Sequence, residues 1–392
     1  MRPTDLRVHR TVTVLAATHF IVDGFSNIYS PLLPLLIPRL GLTLATAGLL
    51  QTCLQLSSSI SQLGFGALAD RWNPRVLLIA GPLLSVAVLS LIGLAHDALT
   101  VGAILIIGGL GAAAFHPPAA ALVHKVGGTR RGWAMSVHIT AGSLGFALGP
   151  LVFAPFVAWA GLAWTPVLMV PGLLLLATWL HRIPASDTPH LTREIGSFAA
   201  LRPYARPLTL LYLIVVIRTL TAISFSTFIP VLLTRRGVSV GAAGAMTAVY
   251  LAASSAGGFF GGAMADRWGA RRVIIASLVA AVPFLAVAPL LPNAMLLLVL
   301  SIGGCLLQST LPVNVTFGQT IAPVSAATVA SLMMGFAWGT GGLFVALVGI
   351  LADRSSIEQA LMLMAVLPLG AALLALPLPD NGAVTTVTVH EP

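Results

Sequence analysis

Long apolar runs separated by short polar turns dominate the chain. A helix needs about 20 mostly apolar residues to cross the hydrocarbon core of a bilayer, and the sequence contains twelve runs of that length. The turns between them are mostly short, which is typical of neighbouring helices in a bundle. The pattern therefore predicts an all-α membrane protein with twelve transmembrane helices. The predicted spans are residues 11–36, 44–69, 74–95, 98–123, 132–159, 161–182, 207–233, 240–265, 271–291, 293–320, 326–351 and 356–378.

One charged turn occurs twice. Residues 66–72 and 262–268 differ at a single position, and the second copy begins 196 residues after the first. Each copy closes an apolar run and opens a basic turn, which indicates two halves with the same topology. We therefore predict two pseudo-symmetric six-helix bundles, a linker between them and a short tail. Their ranges are 1–182 for the first bundle, 183–206 for the linker, 207–378 for the second bundle and 379–392 for the tail.

The linker contains four apolar residues at near-helical spacing, namely Leu191, Ile195, Phe198 and Leu201. A short helix lying on the membrane surface would suit this spacing. A partly ordered tether between the two bundles is the alternative, and the sequence leaves both open.

The composition excludes a water-soluble protein. Hydrophobic residues make up 57% of the chain and charged residues 8%, whereas about a quarter of a soluble domain is charged. The net charge of +9 does not indicate nucleic acid, because the cations lie in short turns without an aromatic-lined basic face. We expect the lipid bilayer to be the surrounding medium instead.

The distribution of cations predicts the orientation. Fifteen of the twenty lysines and arginines fall at the amino terminus, in the linker and in turns on the same side, against four on the opposite side, Arg39, Arg235, Arg236 and Arg354. Cytoplasmic loops carry the excess of Lys and Arg. Both termini, the linker and the tail are therefore predicted to be cytoplasmic, in a multi-pass protein of the bacterial inner membrane.

Two formal charges remain inside predicted spans. Asp23 lies twelve residues into the first span and Arg218 lies at a similar depth in the seventh. The 196-residue offset carries Asp23 to position 219, next to Arg218. A charge near the bilayer centre is costly and usually marks a functional site. We predict that Asp23 and Arg218 face one central cavity and interact there; the alternative is a fixed ion pair that only joins the two halves.

Three histidines extend this candidate site. His19 precedes Asp23 by four residues and so shares its helical face, where it could tune or share the proton of the acid. His116 is followed by Pro117 and Pro118, and the offset carries it to Pro312. Helix interruptions at paired positions indicate a binding site, so we predict a broken helix in both spans. His138 is a further candidate, with a packing role as the alternative.

Neutral polar residues add hydrogen-bonding capacity inside the spans. Asn27 and Asn314 are candidate substrate contacts together with Arg218, His116 and His138. Several glutamines could either line a cavity or join helices; they are Gln51, Gln55, Gln62, Gln308 and Gln319. Cys53 and Cys305 have no metal-like spacing and are interpreted as packing residues. We expect neither a cofactor nor a metal ion.

Several motifs together resemble the major facilitator superfamily, and within it the fosmidomycin-resistance type of exporter. The repeated turn resembles the cytoplasmic loop signature of that family, although Asn73 stands where glycine is usual. The other matching segments are His19-Phe20-x-x-Asp23, Ala114-Phe115-His116-Pro117, Gly145-Phe146-Ala147-Leu148-Gly149-Pro150, Arg218, Gly318-Gln319 before Ala322-Pro323, Gly335-Phe336-Ala337-Trp338-Gly339 and Ala352-Asp353. The resemblance covers nearly the whole chain and implies the major facilitator fold and drug efflux driven by proton entry.

The resemblance also implies a gating role for the repeated turns. Asp70 would contact the start of span 11 near Ser325, and Asp266 the start of span 5 near Arg131. A carboxylate is stabilised at the amino end of a helix, so these contacts would hold the cytoplasmic side shut. The residues assigned to conformational gating are Asp70, Arg71, Arg75, Asp266, Arg267 and Arg271. Small residues in spans 5 and 11, including Gly145 and Gly149, would let helices approach closely.

The leading hypothesis is a proton-coupled exporter of a small anionic or drug-like compound. In this hypothesis Asp23 and His19 handle the proton, and Arg218 holds the anionic group. An uptake symporter or facilitator for a small organic anion is the first alternative, and a transport-inactive membrane sensor is the second. The sequence shows no nucleophile–base or metal constellation, so we expect no enzyme. The expected partners are a small-molecule substrate and protons, and the expected state is a monomer.

Overall fold

The computed structural model describes residues 3–71, 73–127, 130–180, 182–183, 198–323 and 326–379. Every regular element in these ranges is helical. The first half contains α1 (Pro3–Ser26), α2 (Tyr29–Leu40), α3 (Leu44–Ser59), α4 (Ser61–Arg71), α5 (Pro74–Leu89), α6 (Ala98–Gly127), α7 (Arg131–Ala160) and α8 (Met169–Leu180), with short 3-10 segments at Ser90–Leu94 and Leu162–Leu168.

The second half begins with a 3-10 turn, Phe198–Tyr204. It continues with α9 (Ala205–Arg235), α10 (Val240–Trp268), α11 (Ala270–Val287), α12 (Asn293–Gln308), α13 (Thr310–Ile321), α14 (Ala326–Ser331), α15 (Ala337–Leu343), α16 (Val345–Arg354) and α17 (Ile357–Ala375). A short 3-10 turn, Ala288–Leu290, follows α11, and a π-helical turn, Leu332–Phe336, separates α14 from α15.

Eleven helical segments of the described residues are long and apolar enough to span a membrane. The predicted span 44–69 is not among them, although α3 and α4 cover residues 44–71 with a break at Ile60. Serine side chains precede this break. Ser57 and Ser58 donate hydrogen bonds to the carbonyls of Leu54 and Gln55, and such local bonds compete with the helical ladder.

The prediction of paired broken helices is wrong for span 4 and confirmed for span 10. α6 continues through Pro117 and Pro118 without a break. Prolines are tolerated within membrane helices because neighbouring groups satisfy the carbonyls that they free. Span 10 does break, at Ser309, between α12 and α13. Pro312 lies in the first turn of α13, where a missing N–H costs little.

The chain divides into two compact units, and the first of them draws on both sequence halves. Unit 1 comprises Met1–Thr192, Ser226–Ala252 and Gly342–Ile357. Within it α1 packs on α7, α5 packs on α6, and α3 packs on both α6 and α16. Unit 2 comprises Arg193–Phe225, Ala253–Gly341 and Glu358–Pro392. Within it α11 packs on α12 and α13.

Glycines bring α1 and α7 into backbone contact, as the sequence predicted for span 5. A Cβ atom on Gly145 would overlap the backbone of Phe20, and one on Gly149 would lie 2.7 Å from the carbonyl oxygen of Gly24. Helices can approach this closely only where side chains are absent. The contact fixes the middle of α1, where Asp23 lies, against α7.

Candidate functional site

An acid–histidine cluster lies inside unit 1. Asp23 Oδ2 is 3.1 Å from His19 Nε2, and Asp23 Oδ1 is 3.4 Å from His116 Nε2. The first pair follows from the four-residue spacing on α1, and His116 is contributed by α6. The three side chains are mostly buried, with exposed fractions of 22% for Asp23, 12% for His19 and 21% for His116. The carboxylate is thus held between two imidazoles and remains partly accessible.

The hydrogen bonds of His19 require a proton between His19 and Asp23. Its Nδ1 lies 2.9 Å from the main-chain carbonyl oxygen of His138. A carbonyl only accepts, so Nδ1 must donate. If His19 were neutral and Asp23 ionised, Nε2 and the carboxylate would face each other with lone pairs only. The 3.1 Å contact therefore holds a proton, on His19 as an imidazolium or on Asp23 as a carboxylic acid.

His138 is contributed by α7 and lies next to the ring of His19. The two rings are 4.2 Å apart between centroids with an interplanar angle of 33°, so they are in contact in a tilted arrangement. His138 is buried and hydrogen-bonds the backbone of Leu15, while its Nδ1 has no partner among the described residues. These contacts place His138 where it supports the His19 ring.

Gly142 opens the space in which the His19–Asp23 pair meets. It lies one turn after His138 on α7, and a Cβ atom there would come within 2.5 Å of His19 Cε1 and 2.7 Å of Asp23 Oδ2. No other residue type would leave the pair undisturbed. In the sequence, the only sign of this role is that Gly142 follows His138 by four residues.

Judged by its distances alone, the same cluster could hold a metal ion. Among the described residues, the ligand atoms of His19, Asp23 and His116 lie within 4.8 Å of one another. Two imidazoles and a carboxylate are ligands that transition metals accept. The hydrogen bonds described above account for the same short distances, so the geometry does not require an ion.

Arg218 lies inside unit 2, on α9, and is 1% exposed. Its Nη1 donates to Gln308 Oε1, and its Nη2 is 3.0 Å from Thr219 Oγ1. The guanidinium lies over the ring of Trp338 at 5.3 Å from the centroid. Its Nε has no acceptor in the part of the chain that the structure describes. These contacting groups are all neutral, so none of them balances the positive charge of Arg218.

The two asparagines behave differently. Asn27 lies at the junction of α1 and α2, and its Nδ2 donates to the carbonyl of Phe146 at 2.8 Å. This bond joins α1 to α7. Asn314 on α13 is 1% exposed, and neither its Oδ1 nor its Nδ2 has a partner within the described ranges. A buried amide without partners costs free energy, so Asn314 is the better candidate for a ligand contact.

The predicted gating contacts fall largely outside the described residues. The side chains of Asp70 and Arg71, the region of Ser325 and the side chain of Arg131 are not described. Asp266 and Arg267 are exposed at the end of α10, whereas Arg75 and Arg271 are half-buried. Asn73, which replaces the usual glycine, caps α5 by accepting from the Arg75 amide at 3.0 Å. Gating by these residues stays a prediction.

The surroundings of Arg218 were not predicted from the sequence. Gln308 was noted only as one of several polar residues, and Thr219 and Trp338 were not assigned to the site. They come from α9, α12 and α15, so their meeting depends on tertiary packing. The π-helical turn Leu332–Phe336 lies immediately before α15, and such turns are frequent at functional sites.

Solved transporter structures resemble this fold. A bacterial homologue of the human lysosomal transporter Spinster, in an inward-facing and unoccupied conformation, superimposes with a TM-score of 0.77 at 17% identity, covering 96% of this chain and 97% of the other. The nucleoside transporter NupG superimposes with a TM-score of 0.73 at 14% identity, covering 95% of this chain and 98% of the other. At these identities the likeness concerns the fold.

Sequence comparison identifies relatives over nearly the full length. The fosmidomycin resistance protein of Escherichia coli (strain K12) is 27% identical, covering 94% of this chain and 92% of the relative. The uncharacterised MFS-type transporter YfnC of Bacillus subtilis (strain 168) is 26% identical, covering 95% and 94%. The family profile described as Major Facilitator Superfamily matches residues 15–233 and 211–390. The chain therefore belongs to the major facilitator superfamily and is a multi-pass membrane transporter resembling the fosmidomycin-resistance type.

Proposed function

We propose that this protein is a proton-coupled antiporter that exports a small anionic or drug-like compound across the bacterial inner membrane by alternating access. The proposal includes the predicted arrangement of twelve spans in two pseudo-symmetric bundles with both termini in the cytoplasm. The proposal rests on the 3.1 Å contact between His19 and Asp23, because the hydrogen bonds of His19 require a proton shared by these two side chains.

Asp23 and His19 form the proton site in this proposal. The pair is partly accessible, so water can deliver and remove its proton. His116 holds the second carboxylate oxygen, which keeps Asp23 oriented when the proton leaves. His138 supports the ring of His19 and is assigned a positioning role. The cluster is assigned to proton transfer and not to a metal ion.

Arg218 and Asn314 form the anion site in this proposal. A guanidinium recognises phosphonate, phosphate or carboxylate through charge-assisted hydrogen bonds. The Nε of Arg218, which has no acceptor among the described residues, offers a donor. Because the side chain is buried, Gln308 or Trp338 must move before an anion binds. Coupling between Asp23 and Arg218 stays a prediction, in which anion binding favours release of the proton.

Export is favoured over uptake by the similarity to a fosmidomycin resistance protein. Fosmidomycin carries a phosphonate and is therefore a suitable probe. Purified protein in liposomes should concentrate fosmidomycin in the acidic compartment, because an antiporter moves substrate against the proton flow. A symporter, or leakage of a weak acid, would concentrate it in the alkaline compartment. A facilitator would not concentrate it at all, and protein-free liposomes provide the control.

A further inference from the structure

A cavity of about 610 Å³ that the proposed transport cycle does not use lies within unit 1. It is found where α2 and α7 end and α10 begins. Sites for small ligands have volumes of roughly 300–1,000 Å³, so this cavity is large enough for one. Pro38 and Ala158 are exposed, so it opens to the surface. Its apolar wall includes Leu35, Pro38, Val157, Ala158, Leu162 and Val240.

Close packing of α7 on α10 bounds the cavity on one side. A Cβ atom on Gly244 would lie 2.7 Å from the carbonyl oxygen of Pro150, and one on Gly241 would lie 3.5 Å from the Cα atom of Pro155. Val240, the first residue of α10, already lines the cavity. The cavity therefore begins where the backbone contact between these two helices ends, and both sequence halves contribute to its wall.

Arg39 provides the only charge among the residues that line the cavity in the described part of the chain. It is exposed, and its Nη1 donates to the main-chain carbonyl of Gly93. The amide of Gly93 donates in turn to Thr165 Oγ1 at 2.9 Å. A guanidinium has five N–H donors, so others remain for a ligand. Because the side chain is held at the cavity before a ligand arrives, binding requires less ordering.

Further cations adjoin the cavity along the chain. Arg235 ends α9, and Arg236 follows it in the turn that leads to Val240. This turn contains no acidic residue, and none lines the cavity among the described residues. Three of the four cations predicted for the face opposite to the termini thus lie on the cavity or in this turn. The balance of charge favours an anionic ligand.

Exposed tryptophans flank the lining residues at the end of α7 and in the 3-10 segment that follows. Trp159 is 85% exposed and comes directly after Ala158, and Trp164 is 59% exposed and follows Leu162 by two residues. Tryptophan is enriched where a protein surface crosses the membrane–water interface. The cavity therefore opens at the depth where lipid headgroups meet acyl chains.

We propose that the cavity binds a phospholipid of net negative charge, with the phosphate on Arg39 and part of an acyl chain against the apolar wall. The predicted orientation assigns this lipid to the leaflet opposite to the termini. A soluble anion would leave the wall exposed to water, and an uncharged chain would not use Arg39, whereas an anionic lipid uses both. Such a lipid site goes beyond the proposed function and needs neither proton coupling nor export.

The test measures which lipid lies beside the cavity in a bilayer. Ala163 is exposed next to Leu162, and Ala163→Cys is introduced into the full chain with Cys53→Ser and Cys305→Ser. The cysteine carries a fluorophore that bromine quenches. The protein is reconstituted in nanodiscs of phosphatidylglycerol and phosphatidylethanolamine, with the acyl chains of one lipid brominated. Quenching should indicate about fivefold stronger binding of phosphatidylglycerol, because a cation near the membrane surface attracts an anionic lipid.

Ala103→Cys provides the matched control position. Ala103 is exposed on α6 and does not line the cavity, so quenching there should show no preference between the two lipids. With the label at Ala163, Arg39→Gln should abolish the preference, whereas Arg39→Lys, which keeps the charge, should retain most of it. Arg354→Gln, which removes an exposed cation outside the lining, should leave the preference unchanged.

Equal quenching by both lipids in the labelled parent would overturn the proposal, and so would a preference that persists in Arg39→Gln. If Arg39→Gln does not fold, Ala158→Trp decides. A large side chain at this exposed position fills the cavity and should also abolish the preference, and an unchanged preference would overturn the site.

A soluble competitor separates the lipid from its headgroup. Glycerophosphoglycerol, which is the headgroup of phosphatidylglycerol without acyl chains, should not displace the brominated lipid. Displacement would assign the cavity to a soluble anion and overturn the lipid site. The assay contains neither fosmidomycin nor a proton gradient, so failure of the lipid site and failure of the proposed transport are distinguishable.

Discussion

Asp23 and Arg218 occupy nearly corresponding positions in the two sequence halves, one residue apart after the 196-residue offset, but have opposite kinds of surroundings. Asp23 is held by two titratable bases, His19 and His116, and remains partly exposed. Arg218 is held by neutral groups and is almost fully buried. A carboxylate between two imidazoles has two neighbouring bases that can share its proton. A buried guanidinium remains charged, so the ligand that it binds must be an anion.

In the proposed function, this difference corresponds to proton exchange in one half and anion binding in the other. A direct ion pair would not need the histidines, since one carboxylate neutralises one guanidinium. Titratable partners on the acid and neutral partners on the base suit two groups that act in turn. The predictions below test this division, from the largest expected effect to the smallest.

Asp23→Asn should reduce pH-driven accumulation of fosmidomycin in proteoliposomes to the level of protein-free liposomes. The amide cannot carry the proton, although it keeps the shape of the carboxylate. Exchange of labelled for unlabelled drug without a gradient should persist, because the anion site is intact. Asp97→Asn is the control on an exposed acid. Accumulation at the normal rate in Asp23→Asn would contradict the role of this residue.

Arg218→Gln should weaken binding of fosmidomycin about 10- to 100-fold, which corresponds to the loss of a hydrogen bond to a charged group. Arg218→Lys keeps the charge but cannot bond Gln308 and Thr219 with a planar fork, so its effect should be intermediate. Equilibrium binding to purified protein measures both. Equal affinity of Arg218→Gln and the parent protein would exclude Arg218 from the anion site.

Gly142→Ala should slow pH-driven transport about tenfold, because a misplaced reacting group is costly and the new methyl group would push His19 away from Asp23. Gly370→Ala is the matched control, since a Cβ atom there meets nothing within 4 Å. Initial rates at equal protein density provide the comparison. If Gly142→Ala and Gly370→Ala give the same initial rate, the close approach at Gly142 has no role in transport.

His138→Gln should have the smallest effect, a loss of about two- to fivefold in pH-driven rate, because an aromatic ring contact contributes about 0.5 kcal/mol at the low end of its range. The main-chain carbonyl that accepts from His19 remains in this variant. Affinity for fosmidomycin should be unchanged. A loss of affinity with an unchanged proton response would restore His138 to the substrate site.

The sequence was most informative where the chemistry is local. The His19–Asp23 pair follows from one turn of helix. The duplicated turn indicated two halves of the same topology, and the resemblance of several motifs together indicated the transporter family. His116 could be identified as a candidate site residue because two prolines follow it in the sequence. The break in α6 that these prolines predicted is absent. The break at Ile60 follows serine side chains that also occur in uninterrupted helices, so the sequence did not predict it.

Tertiary contacts account for what the sequence could not provide. Gln308 and Trp338 reach Arg218 from helices far along the chain, and Asp353 reaches α3 from 309 residues away. Gly142 is one of 38 glycines, and only the position of His19 against α7 distinguishes it. No periodicity or spacing encodes these contacts, because each depends on which helices become neighbours.

The most direct test of proton–anion exchange is the number of protons released when fosmidomycin binds. Calorimetric titration of the purified protein in buffers of different ionisation enthalpy provides this number without any gradient. The account predicts release of about one proton for each drug molecule bound by the parent protein, and none by Asp23→Asn. Binding without proton release in the parent protein, or equal release in Asp23→Asn, would contradict it.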